Sequence, residues 1–265
     1  MKNNISKLLR ILFVERRIPG VVLIRWYGFL EKLGIRYVTL KTANGLSVRC
    51  MTNARVVFIE VFEKEEYAFP GFDFENCTVV DIGANQGFFT LYAASRGARV
   101  FSFEPLTENV ELLKENVRRN GLEDRVTVFH AAVTGLEREI KLFVGLNQAG
   151  NTRSETASIV DDNRGGVAVE ERIVEGVPAA SLLEHCGLTK CDFLKMDCEG
   201  AEFVILDNMA SNVLTAFDRV AIEYHEGRYQ EIVNRLVSEG YDILQADTDE
   251  VGLIKGVSKT VKPTP

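Results

Sequence analysis

Long apolar runs are missing from this 265-residue chain. No stretch approaches the ~20 uninterrupted apolar residues that a membrane-spanning helix needs. The nearest, Leu8–Val14, is broken by Arg10 and runs into Glu15, Arg16 and Arg17, which also argues against a secretory signal. Proline is scarce, at 6 residues against 21 glycines, and no tract is dominated by either, so collagen-like and Pro-rich disordered chains are excluded. The five cysteines are odd in number and form no Cys-x-x-Cys pair, which leaves neither a disulfide framework nor a zinc ribbon. Cys186, Cys191 and Cys198 follow His185 at spacings that match no structural zinc pattern, and they read as small buried apolar residues. Reduced thiols and the missing leader make the cytoplasm the expected location.

One sign of charge is also in short supply, but unevenly. Residues 1–41 carry nine Lys and Arg against Glu15 and Glu31, a balance of +7, whereas the rest of the chain holds 22 basic and 36 acidic groups, a balance of −14. Nucleic-acid affinity comes largely from neutralising phosphates, so an acidic body makes nucleic acid an unexpected partner. The basic end, with Lys7–Val14 and Val21–Leu30 mixing apolar and basic residues, reads as a surface for peripheral contact with the inner face of a membrane or for a homodimer.

What is present is a regular alternation of strand and helix from about residue 78. Thr78–Ile82 is a near-continuous apolar run ending on a carboxylate, as expected of a strand buried on both faces. A helix over 87–95 closes at Gly97, strands follow at 99–103 and 125–130, and the helix from Thr107 stops at Asn120-Gly121. Further strands are predicted at 139–144, 192–196 and 217–223, with helices at 181–187, about 199–209 and 227–240. Residues 241–245 and 251–256 close the chain as an antiparallel pair. This order predicts an α/β fold: a mostly parallel sheet with helices on both faces. Residues 1–75 form a separate extension, basic and helical at first and then a hairpin turning at Asn44-Gly45, and residues 76–265 form the main domain. The polar stretch 146–176 is expected to be a lid-like loop, with Arg153, Ser154 and Arg164 as acceptor contacts that are not committed to the site.

The chemistry concentrates in Val79-Val-Asp-Ile-Gly-Ala-Asn-Gln-Gly-Phe-Phe-Thr90. A buried strand ends in Asp81, a Gly-rich turn follows and a helix begins, so Gly83 and Gly87 let backbone approach a ligand where a Cβ would obstruct it. The next strand ends at Glu104, 23 positions after Asp81, where a carboxylate can accept hydrogen bonds from ribose hydroxyls. The turn lacks the Gly-x-Gly-x-x-Gly that brings a pyrophosphate against the backbone. An acidic residue there suits an ammonium group better than a pyrophosphate, so S-adenosyl-L-methionine is preferred to a dinucleotide as cofactor.

With Phe103-Glu-Pro105 and Asp192-Phe-Leu-Lys-Met-Asp-Cys-Glu-Gly-Ala-Glu202, these residues resemble the FkbM family of S-adenosylmethionine-dependent methyltransferases over roughly residues 78–245. The resemblance implies a Rossmann-like class I methyltransferase fold, with a seven-stranded sheet holding one antiparallel strand. It implies methyl transfer, typically to a hydroxyl of a sugar, glycan, polyketide or other small natural product. Carried over by position, Asp81, Gly83, Ala84, Asn85, Gly87 and Phe88 would line the methionine end, together with Asp197. Glu104 and Pro105 would hold the ribose, and His130 and Ala131 would border the adenine.

A hydroxyl acceptor must lose a proton, which calls for a base or a metal. Two strand ends face the expected methyl position, Lys195-Met-Asp197-Cys-Glu199 and Ile222-Glu223-Tyr-His225. His225 is the expected base, with Asp197, Glu199 and Glu223 orienting it. The same carboxylates are hard ligands for Mg²⁺, an option that is not favoured, and no metal ligand is assigned. Glu202 reads as a favourable acid in a first helical turn rather than part of the site. The favoured function is an O-methyltransferase for a small-molecule or glycan acceptor. The alternatives are an RNA or protein methyltransferase, or a membrane-surface protein that binds the cofactor without catalysis.

Overall fold

The computed structural model describes residues 34–146, 152–158 and 169–261. The basic helical stretch expected within the first 33 residues, and Arg164 of the polar stretch, lie outside these. A hairpin of β1 (Tyr37–Lys41) and β2 (Ser47–Met51) leads to helix α1 (Arg55–Phe62). The alternating part then runs β3 (Thr78–Ile82), α2 (Phe88–Ala94), β4 (Arg99–Phe103), α3 (Thr107–Arg119) and β5 (Val126–Phe129). Four strands follow, β6 (Ala132–Thr134), β7 (Glu139–Leu146), β8 (Thr152–Ser158) and β9 (Val169–Pro178), then the short α4 (Leu182–His185). The chain ends with β10 (Cys191–Met196), α5 (Glu202–Asn208), α6 (Ser211–Leu214), β11 (Phe217–His225), α7 (Tyr229–Ser238), β12 (Tyr241–Ala246) and β13 (Val251–Ser258).

Seven strands form one sheet in the order β5-β4-β3-β10-β11-β13-β12. The first five in that order pair in parallel, and β13 runs antiparallel to both β11 and β12. This is the Rossmann-like class I methyltransferase arrangement expected from the sequence. The chain leaves β3 toward β4 and β5 on one side and returns to β10 and β11 on the other. The crevice beyond the carboxyl ends of β3 and β10 is therefore the topological switch point, where such sheets bind ligands.

Strand residues alternate between two cores. Val79, Val100, Phe193 and Ala221 face α2, α3 and the residues before β3, whereas Val80, Phe101, Leu194 and Val220 face the later helices. Every one of these side chains is buried, which is why the strands read as continuous apolar runs. Residues 38–74 share the first core: Phe69, Phe72 and Phe74 pack around Phe193 of β10, with ring centroids 5.3, 5.7 and 5.4 Å from it. The hairpin is tied to α3 by two amide side chains. Asn116 accepts the Arg49 N–H at 2.7 Å and donates to the Arg49 carbonyl at 2.8 Å, and Asn120 does the same for Ser47 at 2.8 and 3.1 Å. Two side chains thus satisfy an edge strand as a neighbouring strand would.

The polar stretch 146–176 departs from expectation. Residues 152–158 and 169–178 are strands, forming with β6 and β7 a second sheet in the order β6-β9-β7-β8. Register with β7 explains this: seven consecutive pairs from Glu139–Glu175 to Gly145–Val169 supply the hydrogen bonds that a polar composition hides. Among the described residues no helix is long and apolar enough to cross a membrane.

Candidate active site

The turn after β3 is built for close approach. Gly83 lies at φ +72°, and a Cβ on it would fall 1.8 Å from the Asp197 carbonyl oxygen, so the β3 and β10 ends touch through backbone. Asn85 follows at φ +52° and donates its N–H to Glu104 Oε2 at 2.8 Å. The other Glu104 oxygen accepts the Leu106 N–H at 2.9 Å and the Asn109 amide at 3.2 Å. Three donors fill most of the roughly four lone-pair sites of a carboxylate, leaving room for about one more partner. Burial outweighs these bonds and pushes the Glu104 carboxyl up to about 7.

A groove of about 80 Å³ opens at this point, walled by Gly83, Asn85, Glu104, Pro105, Ala131 and Asp197 among others. A second cavity of similar size lies on the far side of Asp197 and Glu199, both of which line the two cavities. Its walls include Ala84 and Phe88 from the turn and α2, Lys195 and Glu223 from the sheet, and Glu60 and Tyr67 from the segment before β3. Tyr67 donates its hydroxyl to Glu223 at 2.7 Å.

Of the expected cofactor residues, Gly83, Asn85, Glu104, Pro105, Ala131 and Asp197 line the groove, while Ala84 and Phe88 line the second cavity. Asp81, Gly87 and His130 line neither. Asp81 is fully buried and already neutralised: Thr90 donates to Oδ2 at 2.7 Å and the Lys195 ammonium sits 3.4 Å from Oδ1. The same ammonium donates to the Gly83 carbonyl at 2.9 Å and lies 3.5 Å from Asp197. In the structure the ammonium beside Asp81 is thus that of a lysine of the chain. Asp197 and Asp81 hold this ammonium against the effect of burial and raise its pKa. Gly87 serves its own helix, with φ +89° ahead of α2. His130 is exposed, its Nε2 3.0 Å from the Pro105 carbonyl.

The expected catalytic residues converge from two strand ends. Burial and the neighbouring Asp197 push the Glu199 carboxyl up to about 8 and that of Glu223 up to about 7. Burial alone would depress His225, but the hydrogen bond and charge of Glu202, with Glu199 and Asp197, carry it up to about 9. His225 lines neither cavity and stands behind three residues that line the second one, Asp197, Glu199 and Glu223, with Glu199 Oε2 3.6 Å from Nε2. The structure thus puts the expected base one residue behind the cavity wall. Glu199 itself sits at φ +52°, a conformation that costs an L-residue energy. One atom each of Asp197, Glu223 and His225 fall within 4.8 Å of one another, but Lys195 and Tyr67 already attend the two carboxylates, and no ligand role is assigned to them.

Tyr67, Lys195 and Glu202 are the participants that sequence reasoning left out. The pattern held a signal for Lys195, an ionisable residue inside an otherwise apolar strand. None existed for Tyr67, which lies 156 positions from its partner.

The groove fits the adenosyl and methionyl parts of S-adenosylmethionine in kind: a backbone cradle at Gly83 that a Cβ would fill, and a buried carboxylate with one acceptor site to spare. Similarity to known proteins agrees. The methyltransferase FkbM domain model matches residues 81–245, more than half of the chain, and the chain belongs to that family. It is a class I, S-adenosylmethionine-dependent methyltransferase. The chain is 26% identical over 210 residues to the AMB antimetabolite synthetase AmbE of Pseudomonas aeruginosa, covering 67% of this chain but only 10% of that protein. It is 25% identical over 215 residues to the methyltransferase sdnD of Sordaria araneosa, covering 72% and 83% of the two. Among solved structures, the tRNA m1G37 methyltransferase of M. jannaschii superposes with a TM-score of 0.46 at 11% identity, over 84% of this chain and 57% of that one.

Two narrower expectations are corrected here. Similar solved structures define the class I fold and not the sugar or polyketide acceptor that the resemblance implied. Nor does the net charge of the body set nucleic acid aside as a partner. Net charge is an average over faces. On this chain Arg36 and Arg49 both lie over the Tyr37 ring, and Arg49 and Arg119 both pair with Glu115, so three arginines gather at one place on the acidic body.

Proposed function

We propose that the protein transfers the methyl group of S-adenosylmethionine to a hydroxyl oxygen of an acceptor seated in the second cavity. The observation that carries this reading is the wall between the two cavities, which bears Asp197 and Glu199 with Glu223 beside them. When bound, S-adenosylmethionine supplies an electrophilic methyl carbon and a thioether leaving group. Gly83, Asn85, Glu104, Pro105, Ala131 and Asp197 hold it in the groove. The acceptor oxygen would take the methyl carbon as the thioether leaves with the bonding pair, and the Glu199 carboxylate would accept the hydroxyl proton. A carboxyl raised to about 8 suits that role, because a base works best when its pKa lies near the working pH. Alignment across one shared wall and exclusion of water supply the rest.

A second reading, an RNA or protein acceptor docked at the arginines around Tyr37, is supported by the Arg36, Arg49 and Arg119 cluster. One experiment tests both. Methyl-labelled S-adenosylmethionine is offered with sugars, lipid-linked glycans, phenols, bulk RNA and ribosomal protein, and the labelled atom is identified by mass spectrometry. Label on oxygen of a small acceptor supports the first reading, and label on RNA or protein supports the second. Label on nitrogen or carbon removes the hydroxyl assignment.

A further inference from the structure

We propose that Glu202 is a positioning residue for the transfer, fixing both the turn that carries Glu199 and the ring of His225 behind it. The proposal deepens the reading given above and rests on it. Glu202 opens α5 with no solvent exposure. Its carboxylate accepts the Cys198 N–H at 2.7 Å and the Gly200 N–H at 3.0 Å, the two backbone donors that flank Glu199. Glu199 and Gly200 are both left-handed, at φ +52° and +103°, so the turn pays backbone strain that needs an external hold. Glu202 supplies it by gripping the residues on either side.

The same carboxylate stands 3.3 Å from His225 Nδ1. Its oxygens already accept backbone N–H groups, so the proton between them belongs to Nδ1, and Nε2 is left to face Glu199. Of the other groups around the ring, Glu199 meets the opposite nitrogen, and Asp197 and Glu223 each bring an atom within 4.8 Å of the ring while Lys195 and Tyr67 attend their carboxylates. The result is a chain of contacts, Glu202 to His225 to Glu199, that ends on the wall of both cavities. Its outer member touches the acceptor, and its inner member never does.

The test reads the ring itself and needs no acceptor. The chain has three histidines, so ¹⁵N NMR of the full protein with S-adenosylhomocysteine resolves them, and the signal lost in His225→Gln is assigned to His225. In the wild type at alkaline pH, the neutral ring is expected to carry its proton on Nδ1. In Glu202→Leu no acceptor remains at Nδ1, so the ring reverts to the Nε2–H tautomer that free histidine prefers and the two nitrogen shifts exchange places. A wild-type ring protonated on Nε2, or an unchanged tautomer in a folded Glu202→Leu, overturns the proposal. If Glu202→Leu fails to fold, the wild-type tautomer alone decides. Label arriving on nitrogen or carbon in the transfer experiment would remove the hydroxyl reading while leaving this measurement standing, so the two failures are distinguishable.

Discussion

Cofactor affinity should depend on pH through Glu104, and the size of the effect follows from its surroundings. The carboxyl is buried, held by three N–H donors, and titrates at about 7 in the ligand-free protein. Three donors leave about one acceptor site, and in the protonated form the proton occupies it. A ribose hydroxyl therefore donates to the ionised form, and binding should return the carboxyl toward the ordinary carboxylate range. At pH 8 most Glu104 groups are already ionised. At pH 6 about nine in ten carry a proton that must leave first, which weakens binding ~10-fold, or about 1.4 kcal/mol. The sign for the empty protein is opposite. A carboxyl raised in the folded state favours folding at low pH, and that contribution is lost as pH rises through about 7. The assay is calorimetric titration with S-adenosylhomocysteine at pH 6, 7 and 8, in two buffers of different ionisation enthalpy to count protons released. Glu104→Gln should bind ~10- to 100-fold more weakly at pH 8, since a hydrogen bond to a charged group contributes about 1.5–3 kcal/mol. It should also lose most of the pH dependence. Any slope that remains belongs to Glu199, Glu223 and His225. A wild-type affinity that is flat from pH 6 to 8, or an equal slope in Glu104→Gln, refutes the reasoning.

Three further outcomes are expected. Gly83→Ala combines a φ of +72° with a Cβ 1.8 Å from the Asp197 carbonyl, so urea denaturation should show a loss of more than ~3 kcal/mol or no folded protein; near-wild-type stability would contradict the close approach. Tyr67→Phe removes the 2.7 Å hydrogen bond that lowers the Glu223 pKa, so ¹³C NMR should show that carboxyl titrating above its wild-type midpoint near 7. Asn116→Ala loses the paired bonds to Arg49 and the one to the Gln86 carbonyl, costing roughly 2 kcal/mol, and hydrogen exchange should show the Arg49 amide opening while those of β3 stay protected.

The sheet was readable because each of its parallel strands is a short apolar run whose alternate residues serve two different cores, and helix ends carried their own marks, such as Gly97 and Asn120-Gly121. The second sheet was not. Half of residues 169–176 are charged, and what makes them a strand is pairing with β7, a partner some 30 positions earlier. The same division runs through the site. Glu104 could be placed from spacing alone, because the strand–turn–helix unit fixes where the next strand ends. The Asp81–Lys195 pair could not be placed in that way, because Lys195 lies 114 positions on and faces Asp81 only once β3 and β10 pair in register.

The difference between a base and its support was equally out of reach of residue types. Histidine titrates near neutrality when free, which made His225 the natural expectation. Four acids around one ring change its setting. Glu202, Glu199 and Asp197 raise the imidazole to about 9, while burial and neighbouring negative charge raise Glu199 and Glu223 to about 8 and 7. Dielectric and like-charge crowding are properties of the folded site, and no residue type carries them. The segment before β3 takes part in this setting. Tyr67 donates to Glu223, and Glu60 and Tyr67 line the same cavity as Glu199, so residues outside the 81–245 family domain belong to the wall that, on the proposed reading, receives the acceptor.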